Sequence, residues 1–281
     1  MSPPISKATS TTTSTASAPV EIDHIALTVH DLAAMTAYYE GLLGLHRLSS
    51  DGSTIRLGAG NDVLLELRGD KTARRHSRQE AGLFHTAFLM PHRAALGAWL
   101  IHAADQKQPL DGASDHLVSE AIYLSDPEGN GIEVYADRPR LGWYNPDGSL
   151  KMGTEALDLN AVAHAAKAPF AGAPQGLVIG HVHLQVGNLA EALRFYHGVI
   201  GMPVTTQMPT AAFYGAGGYH HHLATNVWNS RNAKARSFPA TGLAELTLRA
   251  DAPDYAAIVE RGGSDRLSDP WGTPVTVVRK A

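Results

Sequence analysis

The sequence predicts an α+β fold made of four βαβββ units, two in each half of the chain. Two observations support this prediction: an ungapped internal repeat whose copies lie 157 residues apart, and a turn motif that occurs once near the end of each half. A repeat at a fixed spacing indicates that the same supersecondary unit is used more than once. Elements that are recognised in one half therefore predict their counterparts in the other half.

The first and third units begin in the same way. Residues 22–29 and 179–186 alternate between apolar and polar side chains, which is typical of a half-buried strand. Each segment is followed by an amphipathic helix that begins after Asp31 or Asn188, two residue types that favour the N-cap. Each helix then runs into a glycine-containing segment, which is typical of a helix end. These segments therefore predict a strand followed by a helix in both units.

A weaker second repeat defines the other two units. Residues 82–88 match 242–248, and both halves contain an Asp-Pro-x-Gly turn, beginning at Asp126 and at Asp269. These matches predict two domains that are joined by a linker with one helix at 139–176. The first domain, 20–138, has units at 20–70 and 80–138, and the second, 177–281, has units at 177–230 and 240–281. Residues 1–19 are expected to form a disordered tail.

Composition excludes several classes of function. The net charge of −4 lacks the positive footprint of a nucleic-acid binder. The chain has no cysteine, so a metal site would have to use His, Asp or Glu, and its 15 histidines are clustered. No apolar run reaches the roughly 18 residues of a membrane span, and residues 1–19 lack the apolar stretch of a signal peptide. We expect a cytoplasmic protein without a membrane partner; the oligomeric state stays open, a homo-oligomer included.

The segment from His116 to Glu133 carries the strongest chemical signal. It reads H-x5-I-Y-x2-D-P-x-G-x3-E, with Tyr123 before the turn and Glu133 on the strand after it. A carboxylate within an otherwise apolar strand is costly unless something pairs with it, and a metal ion is one such partner.

The chain resembles the vicinal-oxygen-chelate superfamily, which includes glyoxalase I, fosfomycin-resistance proteins and type I extradiol dioxygenases. It is similar in particular to two-domain bacterial catechol-2,3-dioxygenase proteins, which act in aromatic catabolism. The segments that carry this resemblance are 82–85, 115–139, 180–184 and 217–223. The resemblance implies that the βαβββ units close into two barrel-like domains, and that metal ligands come from the first and last strands of each unit.

The resemblance implies two alternative ligand sets for one divalent ion. If units two and three pair, the ligands are His85, Glu133 and His181; if units one and two pair, they are His24, His85 and Glu133, with Glu66 as a possible fourth. Two histidines and one carboxylate form the facial triad that non-haem Fe(II) prefers, although Mn(II) or another divalent ion could also bind. The default pairing of consecutive elements favours the second set. Histidine-rich strands in unit three favour the first, and we expect His85, Glu133 and His181 to be the ligands.

The same resemblance implies catalytic roles and a substrate. His220 or His222 would be the acid–base residue, Tyr123 would donate a hydrogen bond to a chelated substrate oxygen, and His116 would be a further donor. The expected reaction is extradiol opening of an aromatic diol ring by O2.

One departure from the family keeps other functions open. The usual site of extradiol dioxygenases lies in the C-terminal half, but Glu245 and Thr276 occupy the ligand positions there. A glyoxalase-I-like isomerase or lyase, with His24, Glu66, His85 and Glu133 as ligands, is one alternative. A non-catalytic small-molecule-binding member of the superfamily is another, although such members usually lack inward-facing His and Glu side chains.

Overall fold

The computed structural model describes residue 15 and residues 17–280. Most of the predicted disordered tail, 1–19, therefore lies outside the described residues. The α+β fold of repeated units is confirmed.

The first two units have the predicted βαβββ order. The first contains β1 Val20–Val29, α1 Leu32–Leu43, β2 His46–Ser50, β3 Thr54–Ala59 and β4 Asp62–Gly69. The second contains β5 Gly82–Met90, α2 Arg93–Asp105, β6 Gly112–Asp115, β7 Ser119–Ser125 and β8 Gly131–Asp137. The Asp31 side chain accepts a hydrogen bond from the backbone N–H of Ala34, so it caps α1 as the sequence predicts.

A connecting segment and two further units follow. The connection contains a 3-10 turn at Arg140–Gly142, β9 Glu155–Ala156 and α3 Leu159–Ala163. Unit three contains β10 Val178–Gln185, α4 Leu189–Ala192, which continues as a π-helix over Leu193–Val199, β11 Val204–Met208, β12 Ala211–Tyr214 and β13 Leu223–Asn226. Unit four contains β14 Gly242–Ala250, α5 Ala252–Gly262, β15 Arg266–Ser268 and β16 Pro274–Arg279. In the described chain, unit four thus has two strands after its helix instead of three.

The strands form two curled sheets, and each sheet combines units from both halves of the chain. The seven-stranded sheet has the order β15-β16-β14-β1-β4-β3-β2, and the nine-stranded sheet has the order β11-β12-β13-β10-β5-β8-β7-β6-β9. Unit one therefore pairs with unit four through antiparallel β1 and β14, and unit two pairs with unit three through antiparallel β5 and β10. The sheets cut across the two expected domains, 20–138 and 177–281.

The units of each half contact each other through their helices and turns instead. The hydroxyl of Tyr39 on α1 donates to the Asp126 carboxylate at 2.9 Å, and Tyr196 in unit three donates to Asp269 in unit four at the same distance. Both aspartates also accept backbone N–H groups of their own Asp-Pro-x-Gly turns. The repeated turn motif is therefore a repeated anchor for a helix of the preceding unit.

A continuous apolar core joins both sheets and their helices, and it includes fully buried Trp99 and Tyr214. Within the described part of the chain, no helix is both long and apolar enough to cross a membrane.

Candidate metal centre

Three strands of the nine-stranded sheet bring His85, Glu133 and His181 together. Ala87 on β5 lies opposite Glu133 on the parallel strand β8 and opposite His181 on the antiparallel strand β10. His85 is two residues before Ala87 and therefore projects from the same face of β5. The register of the sheet thus places two imidazoles and one carboxylate around a single small residue.

The three side chains are within reach of one ion. His85 Nε2 lies 3.0 Å from Glu133 Oε2, and His181 Nε2 lies 3.2 Å from the same oxygen. One ligand atom from each residue lies within 4.8 Å of the other two. With metal–ligand distances of about 2.1 Å, two ligands at a right angle lie about 3 Å apart, so the spacing suits one face of an octahedral ion.

The electrostatics of the cluster favour an anionic carboxylate. Burial alone would raise the pKa of Glu133, but the adjacent His181 and His85 imidazoles lower it well below its ordinary value. Burial lowers the pKa of His181 to about 4, despite the opposing effect of Glu133. A deprotonated carboxylate and neutral imidazoles are the protonation states that bind a metal ion.

The cluster also fits an ion because its hydrogen bonding is incomplete. His85 Nε2 is buried and, despite its short distance from Glu133, is too poorly aligned for a hydrogen bond. A buried polar atom without a partner is costly, and coordination to a cation would satisfy it. The donor set therefore fits a divalent metal ion. The observation that supports this is that His85 Nε2 lies 3.0 Å from the Glu133 carboxylate without an aligned hydrogen bond.

A cavity of about 760 Å³ opens directly onto the triad. Its walls combine aromatic side chains, among them Phe84, Phe213 and Trp228, with polar side chains that include those of the triad. A cavity in which polar groups converge between apolar and aromatic walls is typical of a small-molecule site.

Tyr123 and His116 lie together in this cavity, as the sequence predicts for two functional residues. Tyr123 lies directly opposite Glu133 in the β7–β8 ladder. His116 Nδ1 donates to the Gly153 carbonyl at 2.7 Å, which leaves Nε2 as the acceptor of the Tyr123 hydroxyl at 2.6 Å. Burial and the Glu133 charge raise the pKa of Tyr123 well above its ordinary value, so its hydroxyl keeps its proton.

The three consecutive histidines have different environments, and only His221 lines the cavity. His220 is fully buried against Asp137, and His222 is fully buried with its Nδ1 accepting the backbone N–H of Ala216. The expected acid–base role of His220 or His222 therefore does not fit their placement. The reason is that 218–222 precede β13 and do not follow the alternation of a regular strand.

Hydrogen bonds fix which nitrogen of His221 carries its proton. His220 Nε2 lies 2.9 Å from Asp137 Oδ1, a carboxylate oxygen that only accepts, so His220 Nε2 carries a proton. In a neutral His220 the other nitrogen, Nδ1, is an acceptor, and it lies 2.8 Å from His221 Nδ1. His221 Nδ1 must then donate, which leaves His221 Nε2 as an unprotonated base. Burial and the neighbouring His181 and His220 lower the pKa of His221 well below its ordinary value.

His24 and Glu66, the alternative ligands, belong to the other sheet. The Glu66 carboxylate pairs with Arg56 and Arg68, each at 2.6 Å. His24 contacts Asp23 on its own strand, at 2.7 Å. The structure therefore does not assemble the four-ligand set that a glyoxalase-I-like site would use.

The equivalent position in the seven-stranded sheet is closed by hydrogen bonds and ion pairs. Glu245, which corresponds to His85, accepts from Arg68 at 2.6 Å and from the Thr276 hydroxyl at 2.6 Å. Arg68 thus lies in the seven-stranded sheet at the position where an ion would be expected. In the described chain, only the nine-stranded sheet therefore has a candidate metal centre.

The sequence-based site missed two histidines that line the cavity, His183 and His221. The alternation of β10, which places His181 and His183 on one face, was a usable signal for the first. Nothing in the sequence separates His221 from its two neighbours. The orientation of His220 depends on its contact with Asp137, and that of His222 on its contact with the backbone N–H of Ala216.

Comparisons with known proteins agree with this geometry. A family model described as "Glyoxalase/Bleomycin resistance protein/Dioxygenase superfamily" matches residues 21–134 and 178–263. A protein of Bacillus subtilis (strain 168) named "Catechol-2,3-dioxygenase" is 37% identical over 267 residues, which cover 89% of this chain and 93% of that protein.

Solved structures show the same fold at lower sequence identity. A putative dioxygenase from Bacillus subtilis subsp. subtilis str. 168 superposes with a TM-score of 0.65 at 13% identity, covering 92% of this chain and 84% of that one. Glyoxalase I from Zea mays superposes with a TM-score of 0.56 at 15% identity, covering 92% of each chain. At these identities the structures establish similarity of fold alone.

Proposed function

Because this chain belongs to the glyoxalase/bleomycin resistance protein/dioxygenase superfamily, we propose that it is a non-haem Fe(II) extradiol dioxygenase that opens an aromatic diol ring with O2. The observation that carries this proposal is the buried triad of His85, Glu133 and His181 at the base of an aromatic-lined cavity. The 37% identity to a catechol-2,3-dioxygenase along most of the chain supports the same reaction.

His85, Glu133 and His181 would hold the ion. Two histidines and one carboxylate on one face suit Fe(II) and leave room for two reactants, although such ligands also accept Mn(II) and other divalent ions. Fe(II) bound there supplies an electron path between diol and dioxygen and a template that orients them.

Tyr123 and His116 would orient the diol. Because the Tyr123 hydroxyl donates to His116, its oxygen keeps lone pairs available to a substrate hydroxyl, and rotation would let it donate instead. The aromatic walls at Phe84, Phe213 and Trp228 match a planar ring and reduce the access of water.

His221 would move the proton of the diol. Its unprotonated Nε2 is the nitrogen that its hydrogen bond to His220 leaves free, and the residue lines the cavity beside His181, with a ring–ring distance of 4.1 Å. Asp137 and His220 behind it hold the imidazole in the tautomer that can accept a proton.

The test is anaerobic loading with Fe(II), followed by mixing with catechol and air-saturated buffer. We expect a yellow ring-opened product and consumption of one O2 per catechol. The Glu133→Gln variant, which keeps the shape of the side chain, is expected to give no product because the anionic ligand is lost. Absence of product from several different catechols, with the wild-type protein fully loaded with iron, would refute the proposed function.

A further inference from the structure

A buried amide next to the metal centre has only one possible orientation. Asn226 at the end of β13 is fully buried. Its Oδ1 accepts the backbone N–H of Trp228 at 3.1 Å, and a backbone N–H can only donate. The Asn226 oxygen is therefore fixed toward Trp228, and its NH2 group is fixed on the opposite side. That NH2 group lies 3.0 Å from His183 Nε2.

This contact determines the tautomer of His183. An NH2 group only donates, so His183 Nε2 must be an acceptor and the ring proton must lie on Nδ1. β13 flanks β10 on one side and β5 flanks it on the other, with His183 directly opposite His85. The two nitrogens of an imidazole ring point in nearly opposite directions, so a ring whose Nε2 faces Asn226 on β13 directs Nδ1 away from β13. The His85 ring on β5 packs against this imidazole at 4.9 Å. No residue of the described chain accepts a hydrogen bond from this Nδ1.

The surroundings of His183 differ from those of Tyr123. The His183 ring lies 4.9 Å from the His85 ring and packs edge-on against Phe84, Phe213 and Trp228. The Tyr123 ring contacts the His85 ring, and His116 in turn contacts Tyr123. His183 therefore places a single N–H donor within an apolar, aromatic pocket, away from the polar pair that would orient the diol.

We propose that His183, held as its Nδ1–H tautomer by Asn226, donates a hydrogen bond to dioxygen at the His85 side of the metal centre. This inference rests on the proposed function, because it assigns a residue to the second reactant of that reaction. An apolar pocket admits O2, and one fixed donor orients it without charge. Asn226 is the positioning residue in this arrangement. The role of His183 depends on which of its two ring nitrogens carries the proton, and His183 stays neutral throughout.

The tautomer is measurable without turnover. In the diamagnetic zinc-loaded protein, long-range ¹H–¹⁵N spectra of labelled histidine distinguish a protonated from an unprotonated ring nitrogen, and a His183→Leu spectrum identifies the signals of His183. We expect Nδ1 to be protonated and Nε2 unprotonated in the wild type. In Asn226→Asp, we expect a proton on Nε2, since a carboxylate only accepts. A protonated Nε2 in the wild type, or an unprotonated one in Asn226→Asp, would overturn the proposal.

The role in orienting dioxygen is tested with a matched pair of variants of similar shape. His183→Leu removes the donor, whereas His183→Asn places an amide near the former Nδ1. We expect His183→Leu to lower kcat/KM for O2 about tenfold, the effect of one lost hydrogen bond, and His183→Asn to retain most of it. Anaerobic affinity for catechol should stay within about twofold in both, because the diol contacts other residues.

Two results would overturn the dioxygen assignment: an unchanged kcat/KM for O2 in His183→Leu, or a loss of catechol affinity that accounts for the whole defect. These results differ from a failure of the proposed function, in which the iron-loaded wild type itself would not turn over.

Discussion

His221 shows how one residue can be separated from identical neighbours by its contacts alone. His220 contacts Asp137, and His222 contacts the backbone N–H of Ala216. Of the three histidines, His221 is the one that lines the cavity that opens onto the triad. The hydrogen bond from His221 Nδ1 to a neutral His220 then leaves an unprotonated nitrogen on the one histidine of the three that lines the cavity. A chemical role for this histidine run therefore belongs to its central member.

This placement predicts opposite outcomes for two substitutions. His221→Ala should lower kcat by about 10²- to 10⁴-fold, the usual contribution of a general base. The other unprotonated nitrogens at the cavity cannot replace its Nε2, because His116 Nε2 and His183 Nε2 are held by hydrogen bonds to Tyr123 and Asn226. Iron content, measured by metal analysis, should stay at one ion per chain, since the triad is unchanged.

His222→Gln is the matched control in the same run. The His222 side chain does not line the cavity. The substitution should therefore leave turnover close to that of the wild type. Normal turnover in His221→Ala together with a large loss in His222→Gln would contradict the assignment.

Sequence reasoning favoured His85, Glu133 and His181 over the set with His24, but the preference rested on an indirect signal. His24 and His181 occupy equivalent positions in the repeat, so the repeat alone does not distinguish them. What distinguishes them is strand pairing: β10 lies beside β5, whereas β1 lies beside β14 and β4. That pairing is a long-range property, and the sequence contains only the indirect signal of additional histidines in unit three.

At the scale of elements, the two Asp-Pro-x-Gly turns are structural anchors. Each turn holds an aspartate that is buried against the hydroxyl of a helix tyrosine, Tyr39 in one half and Tyr196 in the other. Burial raises the pKa of Asp126 and of Asp269, although their hydrogen bonds oppose this shift. The repeat was visible in the sequence, but its role as an anchor was not, because the tyrosine and the turn are 87 residues apart in the first half.

The anchors predict a matched loss of stability in the two halves. Tyr39→Phe and Tyr196→Phe should each lower the free energy of unfolding by about 1–2 kcal/mol, because a buried carboxylate loses one donor. Urea denaturation monitored by circular dichroism measures this change.

Tyr144→Phe serves as the control for these variants. Its hydroxyl donates to the Gly218 carbonyl, but the residue is 42% exposed, so the change should stay within about 0.5 kcal/mol. An effect in Tyr144→Phe as large as in the two buried variants would argue against the anchors.

At the scale of the whole molecule, the two halves of the chain are interdependent. Each sheet takes its central pair of strands from both halves, β1 with β14 and β5 with β10. The metal centre follows the same rule, since His85 and Glu133 come from one half and His181 from the other. The order of strand and helix within the units was predictable from the repeat. The pairing of units two and three was indicated only by the additional histidines of unit three, because consecutive elements usually pair with each other.

This interdependence predicts that neither half folds alone. Residues 1–176 and 177–281, expressed separately, would each expose one long edge strand from both sheets and should lack a cooperative unfolding transition. Co-expression of the two fragments should restore a complex that binds one metal ion. A monomeric 1–176 fragment that unfolds cooperatively would contradict the shared sheets.

The convergence of both halves on one ion is tested most directly by anaerobic Fe(II) titration in a calorimeter. Wild type and His24→Ala are predicted to bind one Fe(II) per chain with equal affinity, because His24 lies in the other sheet. Glu133→Gln and His181→Ala are predicted to bind at least about 100-fold more weakly, since each loses a ligand at the shared centre. Undiminished binding by Glu133→Gln, or loss of binding by His24→Ala, would contradict the account.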